Sequence, residues 1–351
     1  MLKKENFILE NIQSLQKKHK KDPALLERVV YAFGLLESLQ QTELPFIFKG
    51  GTSLMLLLER PMRLSTDIDI IVPPGTDIEF YIHKAAEIFP FHSCEEQVRK
   101  GKNNIEKRHF KFMYFSPLQE KEFYILLDVL FAEIPYAEVI QKEICNELLQ
   151  TEDPAVIVRV PSLESILGDK LTAFAPHTTG IPIGKGKSME IVKQLFDVAV
   201  LIDELVDQSV VERSYDNTVA EELAYRGLEI TRADVLKDTI TACVSIIGRG
   251  TMGAEDYKEY IKGIHSVESH VLMDNYSGEF AAEQACKVMY LAACLLTDRI
   301  FKKIEHPEKY LEASISKSSY RKLSYMKKRN AEAFGYLVEA VRLLEPAEKA
   351  V

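Results

Sequence analysis

Residues Phe48–Val72 read FKGGTSLMLLLERPMRLSTDIDIIV. Two adjacent glycines, two hydroxyl residues and a leucine-rich run lead into an apolar segment that carries Asp67 and Asp69 one residue apart. PFIFK (Pro45–Lys49), just before the glycines, has the character of a short strand. Gly50 and Gly51 then permit a tight turn, a hydroxyl supplies a helix N-cap, and Leu54–Leu58 continue as helix until Pro61 ends it. STDIDIIV (Ser65–Val72) is the next strand, stopped by Pro73 and Pro74. Side chains alternate along a strand, so Ser65, Asp67 and Asp69 share one face while Ile68 and Ile70 face a core. Aspartate is a poor strand former, and a charged group is rarely buried without a partner.

Two carboxylates at that spacing can hold a divalent metal between them. Mg²⁺ takes oxygen ligands, commonly one or two protein carboxylates together with substrate phosphates. A third acid, Asp128, stands alone inside EFYILLDVLF (Glu122–Phe131), the most apolar strand of the chain. A buried carboxylate without a partner is costly, and a metal or another cation would remove that cost. For all three aspartates the plainer alternative is an edge-strand position open to water. The Gly50-Gly51-Thr52-Ser53 turn weighs against it. The N–H groups of such a turn, and of the helix behind it, bind anionic phosphate. The acidic strand then supplies metal where phosphate charge must be neutralised. Arg63 and Ser65 lie on the approach to that strand; Arg63 is a phosphate contact or a surface ion-pair partner of Glu59.

The rest of the chain bounds the possibilities. Its 351 residues suffice for two ordinary domains, and 46% hydrophobic residues can build a sizeable core, so disorder is not expected. A net charge of −9 argues against a general nucleic-acid coat. Two local stretches are basic: Arg99–Lys111 and Ser316–Arg329 hold six Lys or Arg each, the second with no acid. Five scattered cysteines form no CxxC pair or zinc spacing and suit reduced thiols. The charged N-terminus lacks the apolar run of a signal peptide, and no stretch has the roughly 20 apolar residues of a membrane span. A cytoplasmic protein is expected, with no membrane partner.

Residues 4–40 read as two helices, and Asp77–Phe89 as another. Strands are expected at Arg108–Phe115 and Glu122–Phe131, joined by a turn at Gln119–Lys121, and at Ala155–Val160. After Pro161 the periodicity is helical: to about Phe174, over Met189–Leu205, and on to the C-terminus with breaks near Gly248–Gly253 and Asp274–Gly278. The loop GIPIGKGKS is no P-loop, because Ile181 stands where its first glycine belongs and a helix precedes it. The fold class is α+β: a mixed sheet flanked by helices over 1–155, then a mainly helical part over 156–351.

The strand, glycine turn, helix and D-x-D strand resemble the signature of the DNA polymerase β-type nucleotidyltransferase superfamily. The fuller pattern, KGGTSLMLLLERPMRLSTDIDI, resembles the abortive-infection AbiEii/AbiGii toxin family more closely. That resemblance implies a lysine on a later helix, matched by Lys170 in LESILGDKLTAF, and a Lys/Asp helix, matched by Lys193 and Asp197 in IVKQLFDVAVL. Two family features differ here: His177 follows the Lys170 helix where an arginine is common, and Gln194 stands where a further aspartate is common. The resemblance implies a nucleotidyltransferase-like fold, with Lys170 and Asp197 brought to the cleft from the helical part. Gly50, Gly51, Thr52, Ser53, Arg63, Ser65 and Lys193 would bind a nucleoside triphosphate. Asp67, Asp69 and Asp128 would hold Mg²⁺ or Mn²⁺, Asp128 alternatively taking the acceptor's proton, and Lys170 would neutralise the β/γ-phosphates. Lys193 and Asp197, four apart on a helix, can also simply pair with each other. The implied activity is NMP transfer to an acceptor hydroxyl, by the toxin of a type IV toxin–antitoxin or phage-defence pair. It further implies a tRNA 3′ end or other RNA as acceptor and a winged-helix antitoxin. A protein or small-molecule acceptor, or a catalytically silent binding partner, are the alternatives.

Overall fold

The computed structural model describes residues 1–97, 106–273 and 275–346. Arg99, Lys100 and Lys102 of the first basic stretch, and Asp274, lie outside the described residues. Two compact units divide the chain: Met1–Ile166 with Ser269–Asp274, and Leu167–Glu268 with the segment from Asn275 onward.

The first unit opens with a 3₁₀ turn at Lys4–Phe7 and helices α1 (Leu9–His19) and α2 (Pro23–Gln41). Strand β1 (Ile47–Lys49) runs directly into α3 (Gly50–Leu57), and β2 (Ile68–Val72) and α4 (Glu79–Ala86) follow. Then come β3 (Ser93–Glu96), β4 (Lys107–Ser116), β5 (Lys121–Phe131), β6 (Val139–Glu143) and β7 (Ile157–Pro161). The main sheet has five strands in the order β1-β2-β5-β4-β3. It is mixed: β2 and β5 run parallel and the other neighbours antiparallel. β6 and β7 form a separate two-stranded sheet, which keeps the chain in this unit past the change of character near residue 155.

Alternation along β4 and β5 decides which face is core. Phe110, Phe112 and Tyr114 of β4 and Ile125, Leu127 and Val129 of β5 are buried, together with Ile68, Ile70 and Val72 of β2. Helix α2 packs on β2 and β5 and supplies Val29, Val30, Phe33 and Leu36 to the core. It also carries Glu27, almost wholly buried. Its carboxylate accepts bonds from the Tyr114 hydroxyl at 3.2 Å, the Ser116 hydroxyl at 2.9 Å and the Leu118 N–H at 3.2 Å. Burial first, and the Glu27 charge second, push the Tyr114 phenol far above its ordinary pKa, so it remains a donor to that carboxylate.

Helix α5 (Leu163–Ala173) crosses the boundary between the units. The second unit then contains α6 (Ser188–Asp203), α7 (Gln208–Arg226), α8 (Arg232–Gly248), α9 (Ala254–Val267), α10 (Gly278–Leu296), the short α11 (Met326–Arg329) and α12 (Ala331–Leu344). α10 is its centre, packed against α8, α12 and α6 and rich in buried alanines that let the helices approach closely. Within this unit Lys170 Nζ on α5 lies 3.0 Å from Asp197 Oδ2 on α6, both side chains buried. None of the described helices is long and apolar enough to cross a membrane.

Two stability predictions follow from close contacts. Gly50 and Gly75 both have left-handed backbones, with φ of +82° and +78°. A Cβ on Gly75 would meet nothing within 4 Å, whereas one on Gly50 would lie 2.2 Å from Asp69 Oδ2. Gly75→Ala should therefore cost about 1–2 kcal/mol, the price of a left-handed alanine. Gly50→Ala should cost about 1–3 kcal/mol more, because the Asp69 carboxylate must also move. Urea unfolding measures both, and equal losses would show that Asp69 does not rest on Gly50. In the second unit, Lys170→Ala leaves the Asp197 carboxylate buried without its 3.0 Å cation and should cost about 3–5 kcal/mol. The apolar pair Lys170→Met with Asp197→Leu should cost much less in the same experiment.

Candidate active site

Four polar residues form one row across the main sheet. Lys49 of β1 pairs with Asp69 of β2, Asp69 with Asp128 of β5, and Asp128 with His109 of β4. Directly paired residues project to the same face, here the face opposite the one carrying Leu127 and Phe110. The next row on that face runs Ile47, Ile71, Leu130 and Lys107, and its three apolar members pack with Tyr136, Ala132 and Val139. Lys49 Nζ lies 5.9 Å from the Tyr136 ring centroid. A cavity of about 210 Å³ is lined by Lys49, Asp69, Lys107, His109, Asp128 and Leu130, with Ile70 and Val129.

The glycine turn sets the position of Asp69. Its carboxylate packs on Gly50, where any side chain would collide with it. Gly51 plays the corresponding part for the other candidates. A Cβ there would lie 2.5 Å from an Arg63 terminal nitrogen and 2.9 Å from Ser65 Oγ. Arg63 is buried rather than a surface partner of Glu59, and its backbone bridges to Val271. The expected hydroxyl N-cap is corrected: Lys49 holds the cap position of α3, with no side-chain capping bond. Thr52 and Ser53 are buried and donate elsewhere, Thr52 Oγ1 to the Asp67 carbonyl at 2.6 Å and Ser53 Oγ to the Gly50 carbonyl at 2.9 Å.

The three carboxylates are not equivalent. Strand β2 begins at Ile68, so Ser65 and Asp67 precede the ladder, and the expected face shared by Ser65, Asp67 and Asp69 is corrected. The Thr52 bond holds the backbone at Asp67 against α3. The Asp67 side chain is half exposed and lies 3.8 Å from Arg28, an exposed pair that contributes little stability. Asp128 is not the isolated buried acid that its apolar strand suggests. Its side chain is 32% exposed, and Oδ1 lies 2.6 Å from His109 Nδ1. Sequence alone singles out neither His109 nor Lys49; alternation places His109 off the core face, but only the register of β4 on β5 brings it to Asp128.

Lys170 and Asp197 pair with each other in the second unit, and Lys193, one turn before Asp197, is half-buried. Gln194 donates its amide to the Glu190 carbonyl at 3.2 Å, and His177 lies 2.8 Å from Asp256. Among the described residues no three His, Cys, Asp or Glu side chains converge at metal-holding spacing. Asp69 and Asp128 do stand side by side on adjacent strands and offer only oxygen. That donor set fits a hard cation that completes its shell with phosphate oxygens and water.

Comparison with solved structures returns JHP933 from Helicobacter pylori, at 14% identity and a TM-score of 0.41, over 78% of this chain and 93% of that one. A second H. pylori structure, of a candidate nucleotidyltransferase, matches at 13% identity and a TM-score of 0.41, over 78% and 94%. No curated protein matches the chain. A family model described as the nucleotidyl transferase AbiEii toxin of type IV toxin–antitoxin systems matches residues 34–275. That match takes in the glycine turn, the carboxylate row and the Lys170–Asp197 pair, and the chain accordingly belongs to the AbiEii nucleotidyl transferase toxin family.

Proposed function

We propose that this nucleotidyltransferase moves an NMP from an NTP to an acceptor hydroxyl with the help of Mg²⁺, and that the acceptor is RNA. One observation carries the site: Asp69 and Asp128 lie in register on adjacent parallel strands, with the Gly50–Gly51 turn against Asp69. The triphosphate would lie over that turn, its charge met by backbone N–H groups and by Arg63, beside which Ser65 lies. Asp69 and Asp128 would hold the metal, and Asp67 would join them on leaving Arg28. When bound, the metal would neutralise phosphate charge and orient the α-phosphate. The acceptor oxygen attacks the α-phosphorus, the bond to the bridging oxygen breaks, and pyrophosphate leaves with that electron pair. Asp128 or water takes the hydroxyl proton. The buried hydroxyls of Thr52 and Ser53 would shape the turn rather than grip phosphate. Lys170, with Asp197 as its counter-ion, would offset charge on the β- and γ-phosphates, with Lys193 nearby on the same helix as Asp197.

For an RNA acceptor, support comes from Lys317, Arg321, Lys322, Lys328 and Arg329, all exposed in one segment without acids. The finer expectations, a tRNA 3′ end and a winged-helix antitoxin, rest on the family pattern. Incubation with labelled NTPs, Mg²⁺ and total RNA should transfer label to RNA. EDTA should abolish transfer and Mn²⁺ restore it. Asp69→Asn and Asp128→Asn should each reduce it about 10²–10³-fold, the scale of losing a main transition-state charge contact. RNA binding should weaken as salt rises. Label found on protein or small-molecule acceptors instead would redirect the acceptor assignment. Transfer undiminished in both Asn variants would overturn the site.

A further inference from the structure

We infer that His109 is the positioning residue of the carboxylate pair: it holds Asp128 in the orientation that ligation beside Asp69 requires. This rests on the proposed role of Asp128. The geometry is specific. His109 and Asp128 are direct register partners in the β4–β5 ladder, and Nδ1 lies 2.6 Å from Oδ1. A carboxylate can only accept, so Nδ1 carries the hydrogen and the imidazole tautomer is set. The His109 side chain is largely withdrawn from water, 16% exposed, and that of Asp128 partly so, at 32%. A charge-assisted bond in such surroundings is stronger than one on an open surface. The bond uses one carboxylate oxygen. Oδ2 of Asp128 has no hydrogen bond among the described residues and is left for a cation.

The sheet explains why such an anchor is needed. On its other side, Asp128 pairs with Asp69, a like charge directly across the parallel ladder. Two carboxylates so placed repel, and without restraint Asp128 would swing toward open water. Asp69 is restrained by Gly50, against which its carboxylate packs. For Asp128 the restraint is the His109 ring, 2.6 Å from Oδ1. Outer partners that orient ligating carboxylates typically govern metal affinity by about 10–100-fold.

Asparagine and glutamine separate this role from mere packing. The Asn amide nitrogen occupies roughly the place of Nδ1, and the Gln amide that of Nε2. His109→Asn should keep Mn²⁺ binding, followed by electron paramagnetic resonance with the metal alone, within about threefold of wild type. His109→Gln should weaken it about tenfold or more, with the half-saturating Mg²⁺ for label transfer rising in parallel. Thermal unfolding of each variant shows whether the fold is kept. Equal Mn²⁺ affinity in His109→Gln and wild type, with Asp69→Asn and Asp128→Asn impaired, would overturn the positioning role while leaving the site reading intact. Equal impairment of folded His109→Asn and His109→Gln would overturn it as well. A wild-type protein that neither binds Mn²⁺ nor transfers label would overturn the site reading, and the positioning role with it.

Discussion

The parallel pairing of β2 with β5 is the constraint on which the candidate site depends. It sets Asp69 opposite Asp128, an arrangement that stability alone disfavours, since like charges directly across a ladder repel. The neighbouring elements are organised around that cost. Lys49 flanks Asp69 from β1 and His109 flanks Asp128 from β4, so the row runs cation, acid, acid, imidazole. A one-residue slip of β5 would send Asp128 into the core and Leu127 to the cavity. The buried alternation of Ile125, Leu127 and Val129 makes that slip prohibitive. Hydrophobic patterning on one face thus fixes the chemistry displayed on the other.

Much of this frame is legible in the sequence. The glycine turn, the β4–β5 hairpin and the helical character after Pro161 come from strong local signals: paired glycines, period-two alternation and a proline stop. β3 and β6 escape notice because SCEE and VIQKE are short, mainly polar segments without a clean apolar period. The N-terminal limit of β2 escapes for a different reason. STDIDIIV alternates well, yet the Thr52 hydroxyl takes the Asp67 carbonyl and ends the ladder at Ile68. Side-chain competition for a backbone carbonyl leaves no trace in periodicity.

The polar partners are harder still to read, because they are set by register and helix packing rather than by spacing. His109 lies 19 residues from Asp128 in the chain and meets it only because the hairpin closes with Ser116 opposite Lys121. Lys193 and Asp197 have the i,i+4 spacing that suggests a surface pair. Asp197 is buried, and Lys170 of α5 lies 3.0 Å from it. Helix spacing names the neighbours on one helix but not those on the next.

The two glycines show how backbone and chemistry are coupled. Gly50 is compelled twice, by its positive φ and by the Asp69 carboxylate resting on it. Gly51 has no backbone compulsion of that kind; it is confined by the Arg63 and Ser65 side chains. The first glycine therefore serves the acidic side of the site and the second its cationic side. One turn thus meets a carboxylate at its first glycine and a guanidinium at its second. Thr52 and Ser53, whose hydroxyls are spent on main-chain carbonyls, keep that turn in shape. The GGTS segment thus holds the nearby charged groups in place, while the charges themselves stand on other segments of the chain.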